Sequence, residues 1–180
     1  MKRTITILVI GLLMVAGTQS WAQDQGQIRV GASLAIGTKA GINDTGGEKI
    51  GMGLNFGGDY FVIDKLSIAP SYTFFFKSTT RILDSGFEYD LRVSSFNIDG
   101  KYYFLTEGIN VYGLFGVSFA RVKSSFGFLG IPVSANETGI NIGGGVDYML
   151  SNKLYLNGQV KYNTPLEQLV ISVGVGYVIK

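Results

Sequence analysis

The chain of 180 residues contains no histidine and no cysteine, and it contains only three prolines. Without cysteine, the fold uses no disulfide bond and no thiolate metal site. Without histidine, the usual general base of a serine hydrolase near neutral pH is missing, and no paired-carboxylate motif stands out to replace it. The sequence therefore argues against an enzyme and predicts neither a cofactor nor a metal.

A net excess of charge is also lacking once the N-terminus is set aside. The chain has 15 basic and 13 acidic residues. Two of the basic residues, Lys2 and Arg3, belong to an N-terminal export signal, so the rest of the chain is neutral. Nothing in this balance indicates nucleic-acid binding.

The N-terminal segment has the three regions of a cleavable export signal. A nearly continuous apolar run from Ile5 to Ala16 follows the basic pair, and Ser20 and Ala22 place small residues at the −3 and −1 positions of a cleavage site. The run is too short for a membrane anchor, which takes roughly 20 apolar residues. We predict that residues 1–22 are a signal peptide and that residues 23–180 form one domain.

The remainder of the chain alternates between apolar and polar residues and shows no long helical period. It is rich in glycine (26) and in tyrosine plus phenylalanine (10 and 12), which is typical of an all-β chain. We expect bulges at Pro70, which lacks a backbone donor, and at Ser94-Ser95, where the alternation changes phase. The eight predicted strands are Gln27–Gly37, Lys49–Tyr60, Leu66–Lys77, Arg92–Phe104, Val111–Val122, Thr138–Met149, Leu154–Asn163 and Gln168–Ile179.

The polar face indicates which side of the sheet faces outward. It consists mainly of Gly, Ser, Asn and Ala, which suit a narrow barrel interior but not the charged exterior of a soluble barrel. Long connections at Thr38–Glu48, Ser78–Leu91 and Lys123–Glu137 alternate with short turns, as in bacterial outer-membrane barrels. The sequence therefore predicts an all-β fold, an eight-stranded antiparallel up-and-down transmembrane β-barrel in the outer membrane.

Three segments carry a family resemblance: Phe96–Phe104, Gly143–Tyr148 and Val173–Lys180. Through them the chain from about Gln27 to Lys180 resembles the small eight-stranded outer-membrane barrels of the OmpX and OmpA transmembrane-domain type. The resemblance implies a monomer among outer-membrane lipids that depends on periplasmic chaperones and the barrel-assembly machinery. Enzymes among such small barrels depend on a histidine. The residues that resemble the assembly signal of a final strand are Gly174, Gly176, Tyr177 and Ile179.

Two groups of residues are candidate functional sites. Charged residues on the polar face form either a network of ion pairs that fills the lumen or the lining of a gated ion path. These residues are Arg29, Asp59, Asp99, Lys101, Asp147 and Lys161. Apolar residues in the long loops form either a surface for an extracellular ligand or strand extensions that pack on each other. These residues are Phe87, Tyr89, Phe126, Phe128, Leu129 and Ile131.

The function predicted from these features is that of a non-enzymatic outer-membrane barrel with a structural or surface-interaction role through its loops. The alternative is a narrow porin-like channel for ions or small solutes.

Overall fold

The computed structural model describes residues 24–42, 48–81, 88–106, 108–126 and 132–180. It places them almost entirely in strands, as the apolar alternation predicted. The strand segments are β1 (Ile28–Ile42), β2 (Glu48–Ile63), β3 (Leu66–Phe75), β4 (Ser78–Arg81), β5 (Glu88–Leu105), β6 (Ile109–Phe126), β7 (Pro132–Met149), β8 (Leu154–Asn163) and β9 (Gln168–Val178).

These segments close into a barrel of eight strands. Each pairs antiparallel with its neighbour along the chain, and β1 pairs with β9 from Arg29 opposite Val178 to Gly37 opposite Val170. The short β4 follows β3 after a two-residue break, and both pair with β5, so they count as one barrel strand. The predicted antiparallel up-and-down barrel is confirmed. In the described residues no helix has the length and apolarity needed to cross a membrane.

Side chains alternate between a polar interior and an apolar exterior. On β9, for example, Val173 is 63% exposed and Val175 is 50% exposed, whereas the adjacent inward Ser172 is 3% exposed. Several exposed tyrosines, among them Tyr60, Tyr102 and Tyr177, lie near strand ends, where an apolar band meets the interfaces of a bilayer. The apolar exterior is therefore the lipid-facing surface, as the sequence predicted.

The two predicted bulges are absent. The register from β3 to β5 runs unbroken from Leu66 opposite Tyr102 to Phe74 opposite Ser94, through both Pro70 and Ser95. Proline fits an extended strand when its missing N–H is the only loss. The phase at Ser94-Ser95 does not change either, because Val93 is buried and points inward like Ser95. The irregularities lie elsewhere, for example between Gly37 and Gly41.

The long connections are shorter than the sequence suggested, because strands extend into them. β5, β6 and β7 each have 18 residues, whereas about 9–11 residues cross a bilayer. β8 stops at Asn163, which is paired with Asn141 of β7. The excess length therefore stands above the rim as a sheet, here called the protruding sheet. It consists of residues 78–81, 88–92, 121–126 and 132–138.

The orientation follows from the connections. Short turns join β2 to β3 at Asp64-Lys65 and β7 to β8 at residues 150–153. In outer-membrane barrels such turns face the periplasm. Both described termini then lie at the periplasmic end, and the protruding sheet is extracellular.

Candidate functional site

The periplasmic end of the lumen is filled by large aromatic side chains. Phe61 and Tyr103 are fully buried, and Tyr112 is 2% exposed. The ring centroids of Phe61 and Tyr103 lie 5.3 Å apart, and those of Tyr103 and Tyr112 lie 5.1 Å apart. Leu114 packs against this cluster. These four residues, here called the aromatic layer, leave little room for a solute to pass.

Above and around the aromatic layer, the six charged residues singled out in the sequence lie in three close pairs. Lys101 Nζ lies 2.8 Å from Asp59 Oδ1, and Lys161 Nζ lies 3.2 Å from Asp99 Oδ2. Arg29 Nη1 lies 3.5 Å from Asp147 Oδ2. Since three cations face three anions, the interior charge is balanced. A buried charge is tolerated only when it is paired and hydrogen-bonded.

Hydrogen bonds and aromatic rings complete the coordination of these charges. The Tyr103 hydroxyl donates to Asp147 Oδ2 at 3.1 Å, and Asn157 Nδ2 donates to Asp147 Oδ1 at 2.6 Å. The Arg29 guanidinium lies 4.7 Å from the centroid of the Phe61 ring, and Lys101 Nζ lies 5.0 Å from that of Tyr112. Such cation–π contacts stabilise a desolvated cation. The three ion pairs are therefore in direct contact with the aromatic layer beneath them.

Towards the extracellular side, three buried asparagines cross the lumen. Asn141 Nδ2 donates to Asn97 Oδ1 at 3.0 Å and to Asp99 Oδ1 at 2.8 Å. Asn163 Nδ2 donates to Asn141 Oδ1 at 2.8 Å and to Ser118 Oγ at 2.7 Å. A side-chain network that is satisfied in this way fixes its members in one arrangement. It links four strands through the interior: β5, β6, β7 and β8.

The extracellular end of the lumen is closed by apolar side chains. Ala35, Phe75, Val93 and Val170 are each no more than 6% exposed, and Ala40 joins them. Leu91, Val122 and Leu166 pack against this group. These residues, here called the apolar cap, interrupt the polar interior just below the rim.

Between the two ends, one side of the lumen retains open space. A cavity of about 50 Å³ is lined by polar groups that include Asn55, Asp59, Ser71, Lys101 and Gln159. A space of this size and polarity holds a few water molecules. Across the residues that the structure describes, no three acidic side chains cluster closely enough to hold a metal ion.

The other predicted residues divide by their location. Gly174 and Gly176 point into the lumen, whereas Tyr177 and Ile179 are exposed on the lipid-facing side. In the loop group, the backbones of Tyr89 and Phe126 are paired across β5 and β6. Phe87, Phe128, Leu129 and Ile131 lie outside the described residues.

The sequence argument did not single out the aromatic layer, the asparagine crossing or the apolar cap. Each consists of inward residues that come together from different strands. The apolar cap could have been predicted from the positions of Val93, Phe75 and Val170, which are apolar residues on the polar face near the extracellular strand ends.

Among the residues that the structure describes, no strand pairs with the outer edge of β7 beyond Asn141 in the protruding sheet. The Ile140 carbonyl accepts from Thr164 N at 3.0 Å, and the Ile140 N–H donates to Thr164 Oγ1 at 2.8 Å. Residues of the same parity farther up β7 direct their backbone groups to the same side, where β8 has ended. Those residues are Ser134, Asn136 and Thr138. All side chains from Val133 to Thr138 are exposed.

Comparison with solved structures gives the same fold. The N-terminal β-barrel domain of Pseudomonas aeruginosa OprF matches at 18% identity and a TM-score of 0.62, covering 87% of this chain and all of that one. OprG from Pseudomonas aeruginosa matches at 16% identity and a TM-score of 0.62, and the match covers 89% of this chain and 99% of OprG. A third match is Ail, the attachment invasion locus protein of Yersinia pestis, solved in complex with the heparin analogue sucrose octasulfate. Its sequence identity is 17% and its TM-score is 0.58, and the match covers 85% of this chain and 97% of Ail.

No curated protein matches this chain. A family model described as "Outer membrane protein beta-barrel domain" matches residues 7–178, which is nearly the whole chain. A closed eight-stranded barrel, an apolar exterior and this match agree, so the chain belongs to the outer-membrane β-barrel domain family and is a multi-pass protein of the outer membrane.

Proposed function

We propose that this barrel is a non-enzymatic surface-interaction protein whose protruding sheet binds an extracellular partner. The observation that carries the proposal is the length of β5, β6 and β7, which exceeds what a bilayer crossing needs. Only Leu91 and Val122 at the base of the protruding sheet pack against the apolar cap, and the exposed residues farther up contribute neither to the lumen nor to the lipid-facing surface. Their exposure therefore favours a role outside the membrane.

The open edge of β7 suggests how a partner would bind. Backbone N–H and C=O groups at an unpaired edge accept an additional strand, because each new hydrogen bond repeats the pattern of the sheet. Natural edges are usually blunted with charge or proline. Here Pro132 lies at the start of β7, and the next residues on that edge are the uncharged Ser134, Asn136 and Thr138.

The absence of a catalytic base supports the non-enzymatic part of the proposal. The chain has no histidine, and the buried carboxylates Asp59, Asp99 and Asp147 are each engaged by a cation. A general base must be free to take a proton from a substrate. The complex of Ail with a sulfated sugar analogue shows that a small barrel of this fold can carry a ligand.

Shortening one hairpin tests the proposal. Val122 and Ala135 are cross-strand partners, so residues 123–134 can be replaced by Asn-Gly, the two-residue turn that closes hairpins. In a strain that lacks the native gene, we expect the shortened barrel to restore detergent resistance but not attachment to cells and surfaces. The variant Asn136→Pro removes only one edge N–H and is expected to reduce attachment in the same assay.

The control is folding, measured as the mobility of unheated protein on a gel, which must be unchanged in both variants. If the shortened barrel restored attachment fully, the protruding sheet would not be the binding surface. A structural role or a channel would then remain as the function.

The charged lumen with its cavity favours a channel as the second candidate. Our expectation is that the folded barrel shows no stable openings in a planar bilayer, because the aromatic layer and the apolar cap close both ends. Replacing Phe75 and Val93 in the cap with serine would test which closure dominates. Reproducible openings of the unmodified barrel would instead support the channel and make the interior charges its selectivity site.

The proposal includes the route to the membrane. Residues 1–22 would direct export and be cleaved, leaving residues 23–180 as the barrel domain. Periplasmic chaperones would deliver the chain to the barrel-assembly machinery, which would recognise the final strand through Gly174, Gly176, Tyr177 and Ile179. The barrel would then remain a monomer.

A further inference from the structure

Three basic side chains form a cluster at the base of the protruding sheet. Arg92 lies on β5, and Arg121 and Lys123 lie on β6; all three are exposed. They have the same parity as Phe96 and Phe119, so they point in the same direction as the lipid-facing side chains. These three residues are here called the basic face.

The arrangement is unfavourable for the barrel by itself. Arg92 and Lys123 are direct cross-strand partners, and like charges in that position destabilise a sheet. No carboxylate among the described residues lies within ion-pair distance of the three. A cluster of this kind gains stability when an external anion joins it.

The acidic residue nearest along β5, Asp90, interacts with Arg92 only at longer range, because its carboxylate is bound by other partners. Its carboxylate lies 2.8 Å from Lys77 Nζ and accepts from Thr79 Oγ1 at 2.8 Å. The hydrogen bond from Lys77 lowers the pKa of Asp90, so this group stays ionised and bound to its partners. With Lys77 and Asp90 cancelling, three positive charges remain among the outward side chains that the structure describes in this sheet.

The height of the basic face on the barrel identifies its surroundings. Phe96 and Phe119 are cross-strand partners with ring centroids 6.4 Å apart, and they end the apolar band of β5 and β6. Arg121 is two residues beyond Phe119, about 6–7 Å along the strand. This distance places it where the hydrocarbon ends and lipid headgroups begin. Thr38, Ile50 and Leu169, outward residues near the rim on other strands, are uncharged.

We propose that the basic face binds the phosphate groups of a phosphorylated glycolipid in the outer leaflet. The register places Asn136 opposite Arg121 and Ser134 opposite Lys123, so an amide and a hydroxyl flank the cations as further donors. Guanidinium and ammonium groups bind phosphate with charge-assisted hydrogen bonds. Because the side chains point sideways into the lipid rather than upward, the ligand lies beside the barrel, with its acyl chains along Phe96 and Phe119.

The experiment measures binding of diphosphoryl lipid A to the chain purified from outer membranes in zwitterionic detergent, by native mass spectrometry. Replacing all three residues (R92Q, R121Q and K123Q) is expected to weaken binding on the order of 100-fold at low salt, about fivefold for each basic residue. Added salt should reduce the difference, because exposed charges are screened. The matched control K65Q, K153Q and K180Q removes three exposed lysines at the periplasmic end and should leave binding unchanged.

Three results would overturn the proposal: equal binding by the triple variant, equal loss in the periplasmic control, or unchanged affinity for the lipid after removal of its phosphates. An excess of inorganic phosphate distinguishes the source of the anion. Persistence of the lipid adduct supports a membrane ligand, whereas full displacement indicates a site for free phosphate. If the triple variant does not fold, Arg121→Gln alone is expected to show the fivefold loss. The hairpin remains intact in these variants, so this result is separate from the attachment assay.

Discussion

Replacing Lys161 with methionine is expected to lower the free energy of unfolding of the barrel by about 3–5 kcal/mol. Lys161 is 2% exposed, and its ammonium is the cation paired with Asp99. Without it the Asp99 carboxylate remains buried, with the hydrogen bond from Asn141 but no paired cation. The unfolding transition can be followed by urea titration in lipid vesicles with circular dichroism, since the only tryptophan, Trp21, lies in the predicted signal peptide.

A second variant distinguishes the loss of the ion pair from the cost of leaving the Asp99 carboxylate buried without a cation. Combining Lys161→Met with Asp99→Asn removes both charges and keeps an acceptor for Asn141, so most of the stability should return. The matched control near the surface is Lys39→Met, because Lys39 and Glu167 form a partly exposed pair at 3.7 Å, and such pairs are worth about 1 kcal/mol or less. Wild-type stability in Lys161→Met would contradict the ion-pair network as a determinant of the fold.

Replacing Gly174 with valine is expected to destabilise the barrel by about 3 kcal/mol or more, or to prevent its folding. Gly174 lies on β9 opposite Ser33, where β9 and β1 close the barrel. A Cβ atom at this position would overlap the Ala32 carbonyl oxygen and the Ser33 Cα. Both are backbone atoms of the paired strand, so they cannot move aside without breaking the register. The measurement is the fraction of unheated protein that migrates in the folded position on a gel.

Gly158→Val is the matched control on the neighbouring strand. Gly158 points outward, and a Cβ there would lie 3.6 Å from Val146 Cγ2, which is an ordinary contact. We expect this variant to fold normally, with a stability within about 1 kcal/mol of wild type, since valine favours strands. If both glycine variants folded equally well, close approach inside the barrel would not explain the glycine at Gly174.

The sequence predicted those features that depend on the pattern within a single strand, such as which side chains face inward. Alternation along β9, for example, is enough to assign Ser172 to the interior and Val173 to the lipid, because the period of a strand is two residues. The same argument assigned Arg29 and Asp147 to the lumen. It could not pair them, since 118 positions separate the two residues along the chain and many registers satisfy the same alternation.

The wrong bulge at Ser94-Ser95 and the overlong loops have a common cause. Val93 is apolar but inward, because it belongs to the apolar cap, so the local pattern read as a change of phase. Likewise, the residues from Ser134 to Glu137, which are mostly polar, were assigned to a loop although they continue β7. Above the membrane neither face of a strand needs to be apolar, so the alternation that marks a strand disappears.

The pairing of β1 with β9 also sets the order of events during folding. Arg29 and Val178 are partners although nearly the whole barrel lies between them, and such distant pairings make folding slow. Until β9 is in place, β1 has one edge with unpaired backbone groups, which hydrocarbon cannot solvate. An intermediate that holds only the first strands is therefore prone to aggregate in water and unstable in lipid. Because β9 pairs with both β1 and β8, it closes the two open edges of the sheet in one step.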